Sequence, residues 1–232
     1  MKVVNRPRGW NFNIDGAPDA GVSVMGPDLS DGLVKLNIND IEFTDGLSIE
    51  GAEIIEGRPE PIDIKTCILK RSVFKNILFI ETSVKKLDVN NVRFEHCDFS
   101  NAAFSGAVIH RAEFVNCKML GTNFTEAVFR NVSFKDCKCD YAFFSFANFK
   151  QVKFEACSMI QSDFQRAALS KFAFSKCNLT ASQFSGVSMR GLDISDCEIE
   201  GIIAGADDLK GAVISSHQAI QLAAVFGLTI KF

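Results

Sequence analysis

The chain has 232 residues, 47% of them hydrophobic and 23% charged, so it is long enough to bury a sizeable core in one domain or one long rod. A formal net charge of −3 is too small to indicate a nucleic-acid or membrane partner by itself. No stretch reaches the roughly 18 apolar residues of a membrane span, and the N-terminus lacks the apolar segment of a signal peptide. We therefore expect a soluble, cytoplasmic protein whose eight cysteines are reduced.

A pentapeptide repeat dominates the sequence. From Phe74 to Ile199 every fifth residue is large and apolar, and a smaller residue lies two positions before most of these centres. A period of five fits neither the 3.6-residue period of a helix nor the two-residue period of a strand. A second, longer period is carried by a ladder of cysteines at every twentieth position: Cys97, Cys117, Cys137, Cys157, Cys177 and Cys197.

The two periods together predict a four-sided, all-β solenoid, because the cysteine spacing equals four pentapeptides, which make one coil. The centre of each pentapeptide and the residue two before it should point inward, and the other three should face solvent. Centres from Ile64 to Ile199 fill seven such coils. At about 4.8 Å per coil, the rod would be about 34 Å long.

The segments CDFSN (97–101), TNFTE (122–126) and SDFQR (162–166) resemble the repeats of the pentapeptide-repeat proteins. That resemblance implies a right-handed quadrilateral β-helix. Residues 92–104, 134–149 and 209–230 are similar to the Gram-positive chromosomal Qnr quinolone-resistance proteins. This second resemblance implies a homodimer, joined by its C-terminal module, that binds DNA gyrase or topoisomerase IV and protects them from quinolones. The implied means of protection is partial imitation of DNA.

Four regions are predicted along the chain. An irregular N-terminal cover spans 1–32, imperfect coils with a loop span 33–61, the regular β-helix spans 62–206, and a capping and dimerisation module spans 207–232. Leu33, Ile38 and Phe43 keep the period of five in a different frame, which changes at residues 44–47. The proline-punctuated segment 57–61 replaces one repeat with a loop.

The tail reads as a helix. Ser215 and Gln218 form a capping-box pattern, apolar residues follow at helical spacing, and Gly227 is a suitable C-terminal stop. The helix could only cap the last coil, or it could also join two copies, and we predict the second because apolar residues continue beyond it. The predicted dimer interface consists of Ile220, Ala223, Phe226, Leu228, Ile230 and Phe232.

The sequence offers no catalytic or metal site. The cysteine ladder is a linear column, whereas zinc needs four ligands converging on one point, so we predict that the cysteines pack as small apolar groups. The three histidines share no face, and neither a nucleophile motif nor a phosphate-binding loop is present. We expect no enzyme activity, no cofactor and no metal.

Surface charge is sorted by side of the rod. The basic face, centred on residues 69, 89, 109, 129, 149, 169 and 189, carries a stripe of Arg111, Arg130, Lys150, Lys171 and Arg190. The cysteine face, which bears the ladder, carries the predicted partner-facing acids Glu81, Asp98, Asp140, Glu198 and Glu200. We expect Asp98 and Asp140 to point freely into solvent.

Several interpretations of these two faces remain open. They could be ordinary solvated surface, or they could bind a topoisomerase, another protein, or a polyanion through the basic face. Direct nucleic-acid binding is less favoured, because the basic stripe has no aromatic side chains on which bases could stack.

Overall fold

The computed structural model describes residues 22–29, 32–60, 62–229 and 231. These form a parallel β-solenoid of about seven turns that ends in one short helix, as predicted. The strands are β1 (Val34–Leu36), β2 (Leu47–Glu50), β3 (Ala52–Gly57), β4 (Asp63–Ile77), β5 (Ser83–Glu95), β6 (Val108–Val115), β7 (Val128–Lys135), β8 (Asn148–Glu155) and β9 (Ala168–Ser175). A 3-10 turn spans Ile38–Asp40, and helix α1 spans Ser216–Val225.

Each regular coil pairs with the next so that residues four pentapeptides apart in the sequence lie side by side. Phe94 lies beside Phe114, Phe114 beside Phe134, and Phe134 beside Phe154. The four sides are not equivalent. Strands β6 to β9 each cover two sides, whereas the other two sides consist of turns joined by single bridges such as Lys118 to Lys138. The cysteine face is one of these turn sides, and the basic face is a strand side.

The core is built of stacked phenylalanine rings. Phe134 and Phe154 lie 4.3 Å apart between ring centroids and 2° from parallel, and Phe129 and Phe149 lie 4.8 Å apart at 4°. Rings on adjacent sides of one coil meet edge to face, as Phe129 and Phe134 do. Because every coil repeats the same backbone geometry, the centres of successive coils lie directly above one another, and phenylalanines at such positions stack. This accounts for the unusual phenylalanine content.

Corners of the coil use left-handed backbone two residues after a centre. Asn91, Asn131 and Lys171 have φ values of 54°, 54° and 49°, and glycine occupies the same kind of position at 106 and 121. Only glycine, and to a lesser degree asparagine and aspartate, adopts this conformation without appreciable strain. The pattern of apolar residues identifies the inward positions but does not reveal these corners.

The first coils depart from the regular repeat. Val34 in β1 lies beside Ala52 in β3, and the separation of these two residues along the chain is two residues shorter than in the regular coils. Ile49 in β2 pairs with Leu69 at the regular separation. Gly46 makes the turn between the two frames, with φ of 84°. The frame change predicted at 44–47 therefore coincides with a real turn.

A close contact at Gly57 fixes the proline-punctuated loop against the first coils. Gly57 packs so closely on Ile38 that a Cβ there would collide with the isoleucine Cγ2. Any side chain at this position would displace Ile38, which is buried in the core. The start of the proline-punctuated loop is thus packed against the first coil through a glycine.

The C-terminal end of the coil is covered by α1. Pairing continues past residue 206, the predicted limit of the regular coil, to a bridge between Asp193 and Val213. The capping box is formed: the backbone N–H of Ser215 donates to Gln218 Oε1 at 2.8 Å, and the N–H of Gln218 donates to Ser215 Oγ at 3.3 Å. Gly227 ends the helix with φ of 71°. Across the described part of the chain, no helix is both long and apolar enough to span a membrane.

Candidate functional site

The best-defined acid on the cysteine face is Asp98, and it is not the free surface carboxylate that was expected. Its carboxylate accepts a hydrogen bond from the Ser100 backbone N–H at 2.9 Å and forms an ion pair with Lys118 Nζ at 3.2 Å. Burial acts to raise the pKa of Asp98, but the hydrogen bonds from Ser100 and the lysine charge outweigh it and lower the pKa. The expectation of a freely solvated Asp98 is corrected, because the register of the coils places Lys118 directly above it.

Asp140 is likewise held by the fold. Its Oδ1 accepts from the backbone N–H of Ile160 at 2.9 Å and from the hydroxyl of Ser158, both on the next coil. The side chain is half-buried and joins two coils. The expectation that it points freely into solvent is corrected in the same way as for Asp98.

Three of the five predicted partner-facing acids are exposed, and two of these three lie at the C-terminal end of the rod. Glu81, Glu198 and Glu200 are exposed, although Glu198 also accepts from Asn178 Nδ2 at 2.6 Å. Residues 193–208 contain six acids and no base, and this segment is called the acidic end. Its members are Asp193, Asp196, Glu198, Glu200, Asp207 and Asp208. Because the coil brings these acids together, they give this end of the rod a negative potential.

The basic face is organised around Arg130 and Lys150, which are direct neighbours in the sheet. His110 pairs with Arg130 on the other side. Burial lowers the pKa of His110, and the positive charges of Arg111 and Arg130 lower it further. Like charges on neighbouring coils therefore create a positive potential in mid-rod. Lys171 and Arg190 extend the stripe as exposed side chains.

Arg111 differs from the rest of the predicted stripe. It is half-buried, and its Nε is buried without a hydrogen-bond partner in the described part of the chain. Residues 22–29 run along the same corner of the rod, where the backbone N–H of Asp28 donates to Asn91 Oδ1 at 3.0 Å. The stripe is thus open to solvent mainly from Arg130 onward.

The predicted dimer residues that the structure describes lie on the solvent side of α1 and beyond it. Ile220, Phe226 and Leu228 are exposed, Leu228 at 63%, and Ala223 is half-buried. Val225 is also exposed, but it was not among the predicted interface residues. Ile230 and Phe232 lie outside the described residues. Gln218 and Leu222 form the side of the helix that is buried against the coil.

The cysteines occupy core positions, as predicted, and all eight are buried free thiols. Thiols of the ladder lie close to backbone carbonyls, as Cys137 Sγ does to Phe114 O at 3.3 Å. Burial raises the pKa of Cys67 to about 11 and also raises that of Cys139, so these thiols stay protonated and unreactive at neutral pH. No group of three or more potential metal ligands was found among the described residues.

Sequence reasoning missed an exposed aromatic cluster on the second turn side of the rod. Tyr141, Phe143 and Phe146 are 55%, 46% and 49% exposed, and the Arg166 guanidinium lies 5.8 Å from the centre of the Phe146 ring. We call this side the Phe144 face, after the buried Phe144 at its centre. The register alone could have found the cluster, because 141, 143 and 146 are outward positions of the repeat.

Comparison with known proteins gives the following matches. The family model described as "pentapeptide repeat region" matches residues 107–184, and the model "pentapeptide repeats (8 copies)" matches residues 88–125. No curated protein matches the sequence significantly.

Two solved structures illustrate the structural likeness. One is HetL, a pentapeptide repeat protein involved in heterocyst differentiation regulation from the cyanobacterium Nostoc sp. strain PCC 7120, at 15% identity and a TM-score of 0.46, covering 74% of this chain and 91% of HetL. The other is full-length QnrB1, a plasmid-mediated fluoroquinolone resistance protein, at 17% identity and a TM-score of 0.46, covering 78% of this chain and 100% of QnrB1. Likenesses this weak carry no argument about function. The repeats, the coil and the two family models, which together match residues 88–184, identify the solenoid as a pentapeptide-repeat β-helix.

Proposed function

We propose that this protein is a non-catalytic binding rod whose partner is a type II topoisomerase, either DNA gyrase or topoisomerase IV, which it protects from quinolones. The observation that carries the proposal is the acidic end, a group of six acids without a base on a narrow rod. The sequence segments 92–104, 134–149 and 209–230, which are similar to Qnr proteins, support the same partner.

The acidic end lies next to α1, where Asp196, Glu198 and Glu200 line one cleft with His217 and Gln221 of the helix. We propose that Ile220, Ala223, Phe226, Leu228, Ile230 and Phe232 join two rods end to end. Such a dimer would bring two acidic ends together at its centre and would be at least about 68 Å long, close to 20 base pairs of duplex DNA at about 3.4 Å each.

Any imitation of DNA would then use the dimer centre rather than the whole cysteine face. Asp98 is paired with Lys118, and Asp140 is held by Ile160 and Ser158, so neither side chain is free to reach a partner. Glu198 and Glu200 are exposed and remain candidates for contact with a basic partner surface. Glu81, also exposed, lies at the opposite end of the cysteine face and is a weaker candidate.

A direct binding measurement tests this proposal. The full-length protein is immobilised, and purified gyrase and topoisomerase IV are passed over it at low and high salt. We expect binding that weakens as salt rises, because exposed charge pairs are screened over about 8–10 Å at ordinary ionic strength. Glu198→Lys with Glu200→Lys should weaken binding, and the matched variant Arg130→Glu with Lys150→Glu should not. Equal binding by all three proteins would contradict the assignment to the acidic end.

A second candidate function is binding of a polyanion through the basic face. The observation that favours it is the direct sheet pairing of Arg130 with Lys150, which puts like charges side by side. A gel-shift assay with duplex DNA tests it, and loss of a shift in Arg130→Glu with Lys150→Glu would support it. A third possibility, a different protein partner for the rod, is supported if neither a topoisomerase nor DNA binds while the fold is intact.

A further inference from the structure

The Phe144 face is the least charged side of the rod, and neither the proposed function nor the charge-biased faces account for it. From residues 101–106 to residues 181–186, its outward positions carry only three charges: Glu126, Asp163 and Arg166. The exposed aromatic cluster of Tyr141, Phe143 and Phe146 lies in the middle of these five coils. Exposed aromatic side chains grouped on a face of low charge are typical of protein interfaces and unsuited to a polyanion.

The charges on this face are arranged symmetrically about the aromatic cluster. Glu126, Phe146 and Arg166 occupy the same corner of three successive coils, with φ values of 61°, 58° and 55°. Backbone bonds connect their coils, from the Glu126 N–H to Ser145 O at 2.9 Å and from the Phe146 N–H to Gln165 O at 2.9 Å. The acid therefore lies one coil below Phe146, and the guanidinium lies one coil above it.

Equivalent positions on successive coils form a column along the rod, and a second column, residues 123, 143 and 163, repeats the arrangement with a different pair of polar residues. Asn123 and Asp163 bridge to Phe143 from either side. Asn123 Oδ1 accepts from the Thr125 N–H at 2.9 Å, so the amide presents its NH2 group as a donor. The Asp163 carboxylate, which accepts from Ser145 Oγ and the Gln165 N–H at 2.7 Å each, keeps further acceptor capacity.

We propose that the Phe144 face binds a second copy of this chain, side by side and antiparallel. The two-fold axis lies in the interface, perpendicular to the rods, at the level of Phe143 and Phe146. It reverses the order of the coils in the second copy, and each column still faces its own counterpart. Phe146 then meets Phe146 of the other copy, Glu126 meets Arg166, and Asn123 meets Asp163. A two-fold interface must be self-complementary, and this face satisfies that condition in both columns.

This lateral contact is separate from the end-to-end contact proposed for the C-terminal module, and its test isolates it. Phe226→Glu with Leu228→Glu in the full-length chain removes the end-to-end contact, and this protein is the reference for sedimentation equilibrium. We expect the reference to sediment at twice the 25.5 kDa mass of the chain. Loss of all association in the reference would overturn the lateral proposal, whatever the outcome of the topoisomerase experiments.

Charge reversals in the reference protein make the test specific. Glu126→Arg alone and Arg166→Glu alone each place like charges at both symmetry-related contacts, so each should raise the dissociation constant at least about tenfold. An equimolar mixture of the two variants should dimerise again, because each mixed pair restores both contacts. The double reversal within one chain should dimerise as well.

The alternatives give different results. Both side chains are exposed, so the melting temperature of each variant should stay close to that of the reference, which separates loss of association from loss of fold. Dimers that persist in both single variants, or variants that remain monomeric when mixed, would overturn the proposal. The second of these outcomes would leave the aromatic cluster as a surface for a different protein.

Discussion

The side-chain amide of Gln218 donates a hydrogen bond of 2.7 Å to the backbone carbonyl of Cys197. One coil earlier, the equivalent carbonyl, that of Cys177, accepts from the backbone N–H of Glu198 at 2.9 Å. Gln218 and Glu198 are one coil length apart in the sequence. The side-chain amide of Gln218 therefore takes the place of the backbone N–H that a further coil would supply. The same amide also donates to Ile194 O at 2.7 Å. The coil thus ends with its last carbonyls satisfied.

Replacing this amide should destabilise the end of the rod. Gln218→Leu keeps the approximate volume and removes the donor, which leaves the carbonyl of Cys197 unpaired, at a cost of about 2 kcal/mol or more. The matched control is Gln221→Leu on the same helix, where the side chain is only half-buried, and it should change the free energy of unfolding by less than about 0.5 kcal/mol. Urea unfolding followed by circular dichroism makes the comparison, and equal midpoints would contradict the capping role.

The stacked core predicts a large effect at its centre. Phe144 is fully buried between Phe124, at 5.6 Å between ring centroids, and Phe164, at 4.8 Å. Phe144→Ala should cost about 3–5 kcal/mol, because the rings above and below cannot collapse into the space. Lys150→Ala on the exposed basic face should cost less than about 0.5 kcal/mol. Similar shifts in melting temperature would mean that the inward and outward positions are wrongly assigned.

The left-handed corners predict a conformational preference that side-chain contacts do not explain. Asn116 is exposed and has φ of 52°. Asn116→Val should destabilise the protein by about 1–2 kcal/mol because a β-branched residue is strained there. Asn116→Gly should be tolerated, since glycine adopts this conformation freely. Lys135→Val, at an exposed strand position, is the control for adding an apolar surface residue. A lower melting temperature for Lys135→Val than for Asn116→Val would contradict the corner assignment.

The inward positions of the regular coil could be predicted from the sequence because apolar periodicity reports directly on burial. The corner conformation could not, although asparagine and glycine recur two residues after the centres, as at Asn91, Asn131 and Gly106. Burial does not distinguish these positions from other outward ones.

The surface was predicted less well than the core because charges were summed over whole faces. Column by column, the same register would have placed Lys118 beside Asp98. It would also have found the exposed aromatic cluster, since 141, 143 and 146 are outward positions. The amide of Gln218 was identified as a helix cap, but its second role at the end of the coil depends on how the helix folds back, and periodicity does not contain that information.

The corrected environment of Asp98 predicts a dependence of stability on pH. Its pKa in the fold is lowered below the ordinary value of 3.8 by Ser100 and Lys118, which together outweigh burial. Its contribution is therefore complete above about pH 4 and is lost as the pH falls through the lowered folded value. Asp98→Asn should be less stable than the wild type at pH 7, and the difference should shrink as the pH falls toward 2. A difference that stays constant across this range would show that the carboxylate charge does not stabilise the fold.

The proposed protection of a type II topoisomerase by the acidic end can be measured in a supercoiling assay with purified gyrase poisoned by ciprofloxacin. We expect the wild-type protein to restore supercoiling, Glu198→Lys with Glu200→Lys to lose the rescue at an unchanged melting temperature, and Arg130→Glu with Lys150→Glu to keep it. Loss of rescue in the basic-face variant alone would contradict imitation of DNA. Absence of rescue by the wild-type protein at every concentration would contradict protection of gyrase itself.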